Sequence, residues 1–393
     1  MADTFVSAIG DLMRLQRWNV KPRVVFWNEA ENVAYTAHVA YALGRIRGMS
    51  TTQLEHVLAR TLLKSLNKHY LSDVLVDTRD ELRKLDPEIW RRLVDKAADV
   101  TAALFPRDML DYAKGYMTLD GNYGEQDGKL EPSRKKEIEE LITFAQYKVA
   151  IRECETNRHV DPGRYVSAIR HIKTKISRIE GRSELENSYK KIGAYVHQVE
   201  NLKHLRRWNL LNRAVETSVL GHTFIVGLLA LTVARQCKSV VEANAHANVS
   251  PFLEAILRAL FHDVPEAVTG DIVTPVKEII NTLNPKIVER LEKNMTKDFV
   301  ATLPGLMKRD VEDYNLLKEL DDRKPYSVSS LVKACDRLAL VLECLFETET
   351  GQVSTEMTSA YGSYITELQN SEWPPIRELC TRILLEHPRK RLR

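Results

Sequence analysis

The sequence predicts an all-α fold organised as two tandem helical bundles. Apolar residues recur at helical spacing along most of the 393-residue chain, whereas runs that alternate polar and apolar residues are few and short. Glycine (16) and proline (14) are both scarce, which disfavours a turn-rich all-β fold and a disordered chain. The second half of the chain also resembles the first, as expected of a duplicated unit.

The helical periodicity is clearest in four segments. Apolar residues fall at positions i, i+3, i+4 and i+7 in the ranges 54–66, 88–105, 138–154 and 330–346. A helix with such an apolar stripe is stabilised by packing against other helices. We therefore expect helical bundles rather than a sheet protein.

Similar segments occur in the same order in both halves of the chain. The clearest pairs are LQRWN (15–19) with LRRWN (205–209), LDPEIWRRL (85–93) with LNPKIVERL (283–291), and FAQYKVAIREC (144–154) with ACDRLALVLEC (334–344). Shared helical composition explains single matches but not their common order. We expect a first lobe over 1–168, a charged helical linker over 169–194 and a second lobe over 195–393.

Composition and charge exclude several classes of protein. Lys plus Arg (57) against Asp plus Glu (54) gives a net charge of +3, so no strong basic field points to nucleic acid as the main partner. The longest apolar stretches, such as 224–234, are shorter than the ~18–20 residues that span a bilayer. The five cysteines form no CxxC pair, which favours buried, reduced thiols. We expect a cytoplasmic protein with no membrane partner.

Four polar residues of the second lobe interrupt otherwise apolar helical segments: His222, the adjacent pair His262 and Asp263, and Asp336. Burial of unpaired charged groups is costly, and clustering them around a divalent cation removes that cost. A single histidine in such a place is more often an ordinary core residue, but four residues in this order favour a metal site. Imidazole and carboxylate ligands leave Mn, Co, Mg, Ni, Fe and Zn open as the cation.

The order H…HD…D resembles that of the HD superfamily of metal-dependent phosphohydrolases, which are all-helical. The segment FHDVPEAVTGDIVTPVK (261–277) is similar to the signature of the YfbR-like group of bacterial 5′-deoxynucleotidases, as are RWN (207–209) and LVKACDRLA (331–339). The resemblance covers about residues 190–350. It implies hydrolysis of a deoxyribonucleoside 5′-monophosphate to a deoxynucleoside and phosphate.

The resemblance also implies a role for each matching residue. The metal ligands would be His222, His262, Asp263 and Asp336. The acidic residues beside the scissile phosphate would be Glu266 and Asp271. Arg207 would contact the phosphate, and Trp208 would lie against the sugar. Thr274 and Lys277 would line the wall of the pocket. Chemistry agrees with this assignment, because a bound cation lowers the pKa of water and a nearby carboxylate can accept the proton.

The sequence departs from the family pattern at Pro265, directly after the His262–Asp263 pair and Val264. Proline has no backbone N–H, so we expect the helix to break there and to displace Glu266.

The first lobe lacks the predicted ligands. In register, Thr36, Lys64, Ser65 and Gln146 stand at the four metal positions, and Lys68 stands at that of Glu266. Arg17, Trp18 and Asp73 remain. We expect this lobe to be a packing scaffold or a sensor that binds a regulatory nucleotide through Lys64 and Arg17.

Several functions remain open from the sequence alone. The runner-up is a dNTP triphosphohydrolase that depletes nucleotides, for example in antiphage defence. A phosphodiesterase for cyclic or oligonucleotides and a non-catalytic nucleotide-responsive module are further alternatives, and the intact ligand positions argue against the last. We expect a deoxynucleotide as the substrate. Single-lobe relatives are typically dimers, so we also expect a homo-oligomer.

Overall fold

The structure is a computed structural model that describes residues 4–121, 130–244, 250–270, 272, 274–285, 287–316, 325–351 and 354–386. These residues form helices joined by turns and loops, together with two isolated β-bridges, Gln16–Asn28 and Arg206–Ser218. The all-α prediction is confirmed.

The chain divides into two compact units. The first unit contains residues 1–44 and 52–187, and the second contains residues 45–51 and 188–393. Residues 169–187, which the sequence assigned to a linker, belong to the first unit, where Ile169, Ile172 and Ile176 are buried. The interpretation of the two units as copies of one HD fold stays a prediction.

Through residue 191 the helices and one 3₁₀ turn (Arg107–Met109) are α1 (Phe5–Arg14), α2 (Glu29–Ile46), α3 (Thr51–Ser65), α4 (Lys68–Leu71), α5 (Val76–Leu85), α6 (Ile89–Ala102), α7 (Leu110–Met117), α8 (Pro132–Asn157), α9 (Pro162–Ile176) and α10 (Arg182–Lys191). Within the first unit α8 packs against α9, and α6 packs against α4 and α7.

From residue 193 the helices are α11 (Gly193–Asn201), α12 (Val219–Gln236), α13 (Lys238–Ala243), α14 (Pro251–Phe261), α15 (Glu266–Thr269), α16 (Thr274–Leu283), α17 (Ile287–Ala301), α18 (Gly305–Leu316), α19 (Val328–Glu349), α20 (Thr355–Leu368) and α21 (Pro374–Glu386). The helices α12, α14 and α19 pack against one another and form the core of the second unit.

Helix α12 is the central helix of the second unit. Ser218 caps its start, because the Ser218 hydroxyl accepts a hydrogen bond from Gly221 N at 3.1 Å. By length and hydropathy this helix could cross a membrane, but 89% of it is buried inside the protein. Burial on all sides is typical of the core helix of a globular unit. The five cysteines are likewise buried, and none forms a disulfide.

A tight turn precedes the central helix of each unit. Trp208 has a left-handed backbone conformation (φ 57°), and Arg207 N donates to Thr217 O at 2.9 Å. The first unit repeats the turn at Trp18 (φ 56°), with Arg17 N donating to Trp27 O at 2.8 Å. A left-handed conformation is unfavourable for a bulky residue, so the surrounding contacts must hold both tryptophans in place.

The helix ends close to Pro265, as predicted, but before the His262–Asp263 pair rather than after it. Helix α14 ends at Phe261, and α15 begins at Glu266 immediately after Pro265. The missing N–H of Pro265 agrees with this boundary. As a result, His262 and Asp263 lie in a turn between two helices rather than within one.

Candidate active site

Three side chains from separate elements of the second unit converge on one point. His222 comes from α12, His262 from the turn after α14, and Asp336 from α19, and one ligand atom of each lies within 4.8 Å of the others. His222 Nε2 is 2.8 Å from Asp336 Oδ1, and His262 Nε2 is 3.9 Å from the same oxygen. Two imidazole nitrogens and a carboxylate oxygen are suitable as three of the ligands of a divalent cation.

The orientation of His262 is set by the end of α14. Its Nδ1 lies 2.7 Å from the carbonyl oxygen of Ala259. Because a carbonyl oxygen can only accept, Nδ1 carries the proton and Nε2 is directed toward the cluster. Such a hydrogen bond to the second ring nitrogen is typical of histidines that bind metals.

Asp263 lies beside this cluster. Its Oδ2 is 3.1 Å from His262 Nε2 and 4.0 Å from Arg207 Nη1. Burial alone would raise the pKa of the Asp263 carboxyl, but His262, His222 and Arg207 hold it well below its usual range. The carboxyl is therefore ionised, as a metal ligand must be.

Glu343 is a site residue that sequence reasoning missed. It is fully buried on α19, and its Oε1 lies 2.7 Å from His222 Nδ1. Its Oε2 accepts a hydrogen bond from Trp208 Nε1 at 2.8 Å, and Arg207 Nε lies 3.2 Å from Oε1. Burial opposes the charge of Glu343, yet Arg207 and His222 hold the pKa of this carboxyl far below its usual range. The signal that could have found it is the repeated Glu-Cys pair, Glu153–Cys154 and Glu343–Cys344.

His222 lies between two carboxylates. Burial and the nearby Arg207 lower the pKa of this imidazole, but Glu343 and Asp336 outweigh them and raise it to about 9. Both ring nitrogens therefore carry protons when no cation is bound. A cation at the cluster would take the place of the proton on Nε2, while Glu343 would keep the proton on Nδ1.

Arg207 lies at the edge of the cluster and is only 14% exposed. Burial alone would lower the pKa of its guanidinium, but Glu343 and Asp263 raise it above its usual value. Glu266 adds a further negative charge near Arg207 and is buried at the start of α15. Arg207 is thus permanently charged and held in one orientation, as a phosphate-binding arginine requires.

The remaining predicted residues are only partly described. Asp271 lies outside the described residues. Thr274 and Lys277 lie in α16, which begins at Thr274. Their assignment to the substrate pocket stays a prediction.

The balance of charge fits a divalent cation. Asp263, Glu266, Asp336 and Glu343 face Arg207 and two imidazoles in a largely buried space. Three of these carboxylates are buried and Asp336 is partly exposed, and their negative charge exceeds the positive charge of Arg207 and protonated His222, which is costly unless a cation compensates it. The nitrogen and oxygen donors present would hold such a cation.

The first unit repeats the supporting contacts of the site. Glu153 accepts hydrogen bonds from Arg17 Nε at 2.9 and 3.0 Å and from Trp18 Nε1 at 2.7 Å. Asn32 Nδ2 donates to the same carboxylate at 2.8 Å. The corresponding contact in the second unit is the one between His222 Nδ1 and Glu343. The counterpart of His222 is therefore Asn32, and the sequence-based register that placed Thr36 there is wrong.

In the first unit, an ion-pair network takes the place of the acidic residues that surround Arg207 in the second unit. Glu29 is buried, and its Oε2 lies 2.6 Å from Lys68 Nζ and 2.8 Å from Arg17 Nη1. Burial would raise the pKa of Glu29, but Lys68 and Arg17 lower it. Among the described residues of this unit, no group of three metal-ligating side chains comes together.

The similarity to known proteins lies in the second unit. A family model described as 5′-deoxynucleotidase YfbR-like matches residues 194–386. A 5′-deoxynucleotidase of Cronobacter sakazakii is 30% identical over 155 residues, which cover 39% of this chain and 72% of that protein. A 5′-deoxynucleotidase of Shewanella oneidensis is 28% identical over 178 residues, which cover 45% of this chain and 84% of that protein.

Among solved structures, an HD-domain phosphohydrolase from Listeria innocua matches with a TM-score of 0.37 and 19% identity, covering 50% of this chain and 87% of its own. The family model and the two curated relatives together define a nucleotide phosphohydrolase. More particularly, the chain belongs to the YfbR-like 5′-deoxynucleotidase family. The family match lies within the second unit.

Proposed function

We propose that the second unit hydrolyses deoxyribonucleoside 5′-monophosphates with the help of a divalent cation held by His222, His262, Asp263 and Asp336. The observation that carries the proposal is the convergence of His222, His262 and Asp336 within 4.8 Å, inside the region matched by the deoxynucleotidase family. The names of the Cronobacter and Shewanella relatives support the substrate class.

The residues around the cluster have distinct parts in this reaction. When bound, the cation polarises the phosphate and lowers the pKa of water. Arg207 donates hydrogen bonds to phosphate oxygens, which a fixed guanidinium does with good geometry. Glu266 accepts a proton from the attacking water, a role that suits a buried carboxylate near the phosphate.

Bond changes in the proposed reaction are those of a phosphate monoester hydrolysis. The water oxygen bonds to phosphorus, and the bond between phosphorus and the 5′ oxygen breaks. The leaving oxygen takes up one proton, which balances the proton that the water gave to Glu266 and restores the carboxylate. The products are a deoxynucleoside and inorganic phosphate. Asp271, the second predicted acidic residue, is proposed to act beside the leaving group.

A panel of nucleotides tests this proposal directly. We expect the 393-residue chain, incubated with each dNMP and dNTP and with Mn²⁺ or Co²⁺, to release inorganic phosphate from dNMPs. Chromatography identifies the products. Release of triphosphate from dNTPs would instead support the triphosphohydrolase alternative, and an absence of product with every nucleotide would support a non-catalytic module.

Trp208 is proposed to lie against the sugar and to favour 2′-deoxyribose. A 2′-hydroxyl pressed onto an indole face loses water without gaining a partner, which costs on the order of 1–3 kcal/mol. We therefore expect Trp208→Ala to reduce the ratio of deoxyribonucleotide to ribonucleotide turnover by about tenfold or more. Competition assays with paired dNMPs and NMPs measure this ratio.

Trp18→Ala is the matched control for this variant. It removes the same tryptophan–glutamate hydrogen bond in the first unit, between Trp18 and Glu153. We expect it to leave the ratio unchanged. If Trp208→Ala also leaves the ratio unchanged, Trp208 serves only to hold the turn.

We infer that the first unit folds without a catalytic cation, because Arg17 and Lys68 already neutralise its buried carboxylates. This arrangement favours the scaffold role. One observation favours the sensor role, since Lys64 and Arg60 share Glu139 at 3.6 and 2.7 Å. Burial and the nearby cations, Arg60 above all, lower the pKa of Lys64 to about 8. The phosphate of a regulatory nucleotide would relieve this crowding of positive charge.

A further inference from the structure

We propose that Glu343 is a positioning residue that fixes the proton of His222 on Nδ1 and so directs the lone pair of Nε2 toward the metal. This inference rests on the proposed metal site. The carboxylate of Glu343 lies 2.7 Å from His222 Nδ1, and both side chains are fully buried. A carboxylate at this place accepts a hydrogen bond, so the ring must donate from Nδ1.

The carboxylate of Glu343 is itself held in one orientation. Trp208 Nε1 and Arg207 Nε both donate to its Oε2, at 2.8 and 3.3 Å, and Arg207 Nε also lies 3.2 Å from its Oε1. Indole and guanidinium groups are donors only, so both need an acceptor, and Oε2 accepts from both. A carboxylate also keeps Oε1 as an acceptor for His222 Nδ1, whereas an amide has only one oxygen to offer.

Glu153 of the first unit shows which contacts of Glu343 are independent of the metal site. Glu153 has the same contacts to an arginine and a tryptophan, Arg17 and Trp18. Its third partner, Asn32, donates from an amide and has no nitrogen lone pair to offer a cation. The hydrogen bond to the glutamate therefore occurs in both units, from Asn32 in the first and from His222 in the second. Only the histidine has a second nitrogen, on the opposite side of the ring, that can bind a cation.

Glu343→Gln tests the positioning role with little change of shape. Trp208 and Arg207 require the amide oxygen, so the NH₂ group of the new side chain faces His222 Nδ1. His222 must then accept at Nδ1 and carry its proton on Nε2, where the cation would bind. We expect the affinity for Mn²⁺, titrated into the protein without substrate, to fall by about 10–100-fold.

Glu153→Gln is the matched control. The side-chain amide of Asn32 can reverse and present its oxygen to the new NH₂ group, so the contact survives. We expect wild-type Mn²⁺ affinity in this variant. Thermal unfolding of both variants shows whether the fold is kept.

The outcomes separate the positioning role from the proposed function. Wild-type Mn²⁺ affinity in Glu343→Gln, or an equal loss in Glu153→Gln, would overturn the positioning role. A protein that binds Mn²⁺ but hydrolyses no nucleotide would overturn the proposed function alone. If the wild-type protein binds no Mn²⁺, the metal site and the positioning role both fall.

A second variant keeps the test valid if Glu343→Gln does not fold. His222→Asn reproduces the pairing of Asn32 with Glu153. We expect it to keep a folded second unit, by circular dichroism and thermal unfolding, and to lose Mn²⁺ binding. Retention of Mn²⁺ binding, or loss of the fold, would contradict the idea that the donor contact and the ligand function are separable.

Discussion

Asp336→Ala is expected to remove the bound cation and with it nearly all phosphate release. Asp336 Oδ1 is the point on which His222 and His262 converge, at 2.8 and 3.9 Å. Loss of this carboxylate leaves two imidazoles without their shared acidic partner. The cation supplies several kcal/mol of transition-state stabilisation, so kcat/KM should fall about a thousandfold or more. Metal analysis after dialysis against Mn²⁺ should find one equivalent per chain in the wild-type protein and none in the variant.

Gln146→Ala is the control for this variant, because Gln146 stands at the corresponding position of α8 in the first unit. Gln146 is exposed, and its replacement should change neither metal content nor activity. Two equivalents of metal per wild-type chain would contradict the conclusion that the first unit holds no site. Full activity of Asp336→Ala with unchanged metal content would contradict the ligand assignment in the second unit.

Glu266→Gln should reduce kcat by about 10²–10⁴-fold while leaving Mn²⁺ affinity close to that of the wild-type protein. The amide has nearly the same shape as the carboxylate but cannot accept a proton from water. Glu266 is 6% exposed at the start of α15, so its removal from proton transfer is not readily replaced by bulk solvent. Single-turnover measurements with a dNMP, made with saturating Mn²⁺, isolate the chemical step.

Lys68→Gln places the same amide at the corresponding position of the first unit. We expect unchanged kcat and metal content but a lower thermal stability, because Glu29 would lose its partner at 2.6 Å. An unaltered kcat in Glu266→Gln would exclude Glu266 as the base. A loss of metal together with the loss of kcat would instead make Glu266 a ligand.

Much of the site could be predicted from local sequence pattern. Apolar residues at helical spacing report which face of a helix is buried, so His222 and Asp336 stood out as polar residues on helices of that kind. The interruption of the helix close to Pro265 could also be predicted, because the missing N–H of this proline acts on the adjacent backbone. These properties depend on residues close together in the chain.

The register of the first unit depended on the structure. Sequence similarity with a gap paired His222 with Thr36, whereas the contact to Glu153 identifies Asn32. The offset between the units is set by the starts of α2 and α12, at Glu29 and Val219. A gap in the alignment of two short helical segments lowers their similarity only slightly. The resulting error of four residues, from Asn32 to Thr36, nevertheless moves the aligned side chain by about one helical turn.

The sequence by itself therefore determined the all-α class, the family and the residue types available for a metal site, because these follow from periodicity and from the order of motifs. Only the tertiary structure decided that Glu343 lies behind His222. The two residues are 121 positions apart and meet because α12 packs against α19. A glutamate within a long helix carries no local sign of being buried, since its cost of burial is offset by partners from distant segments.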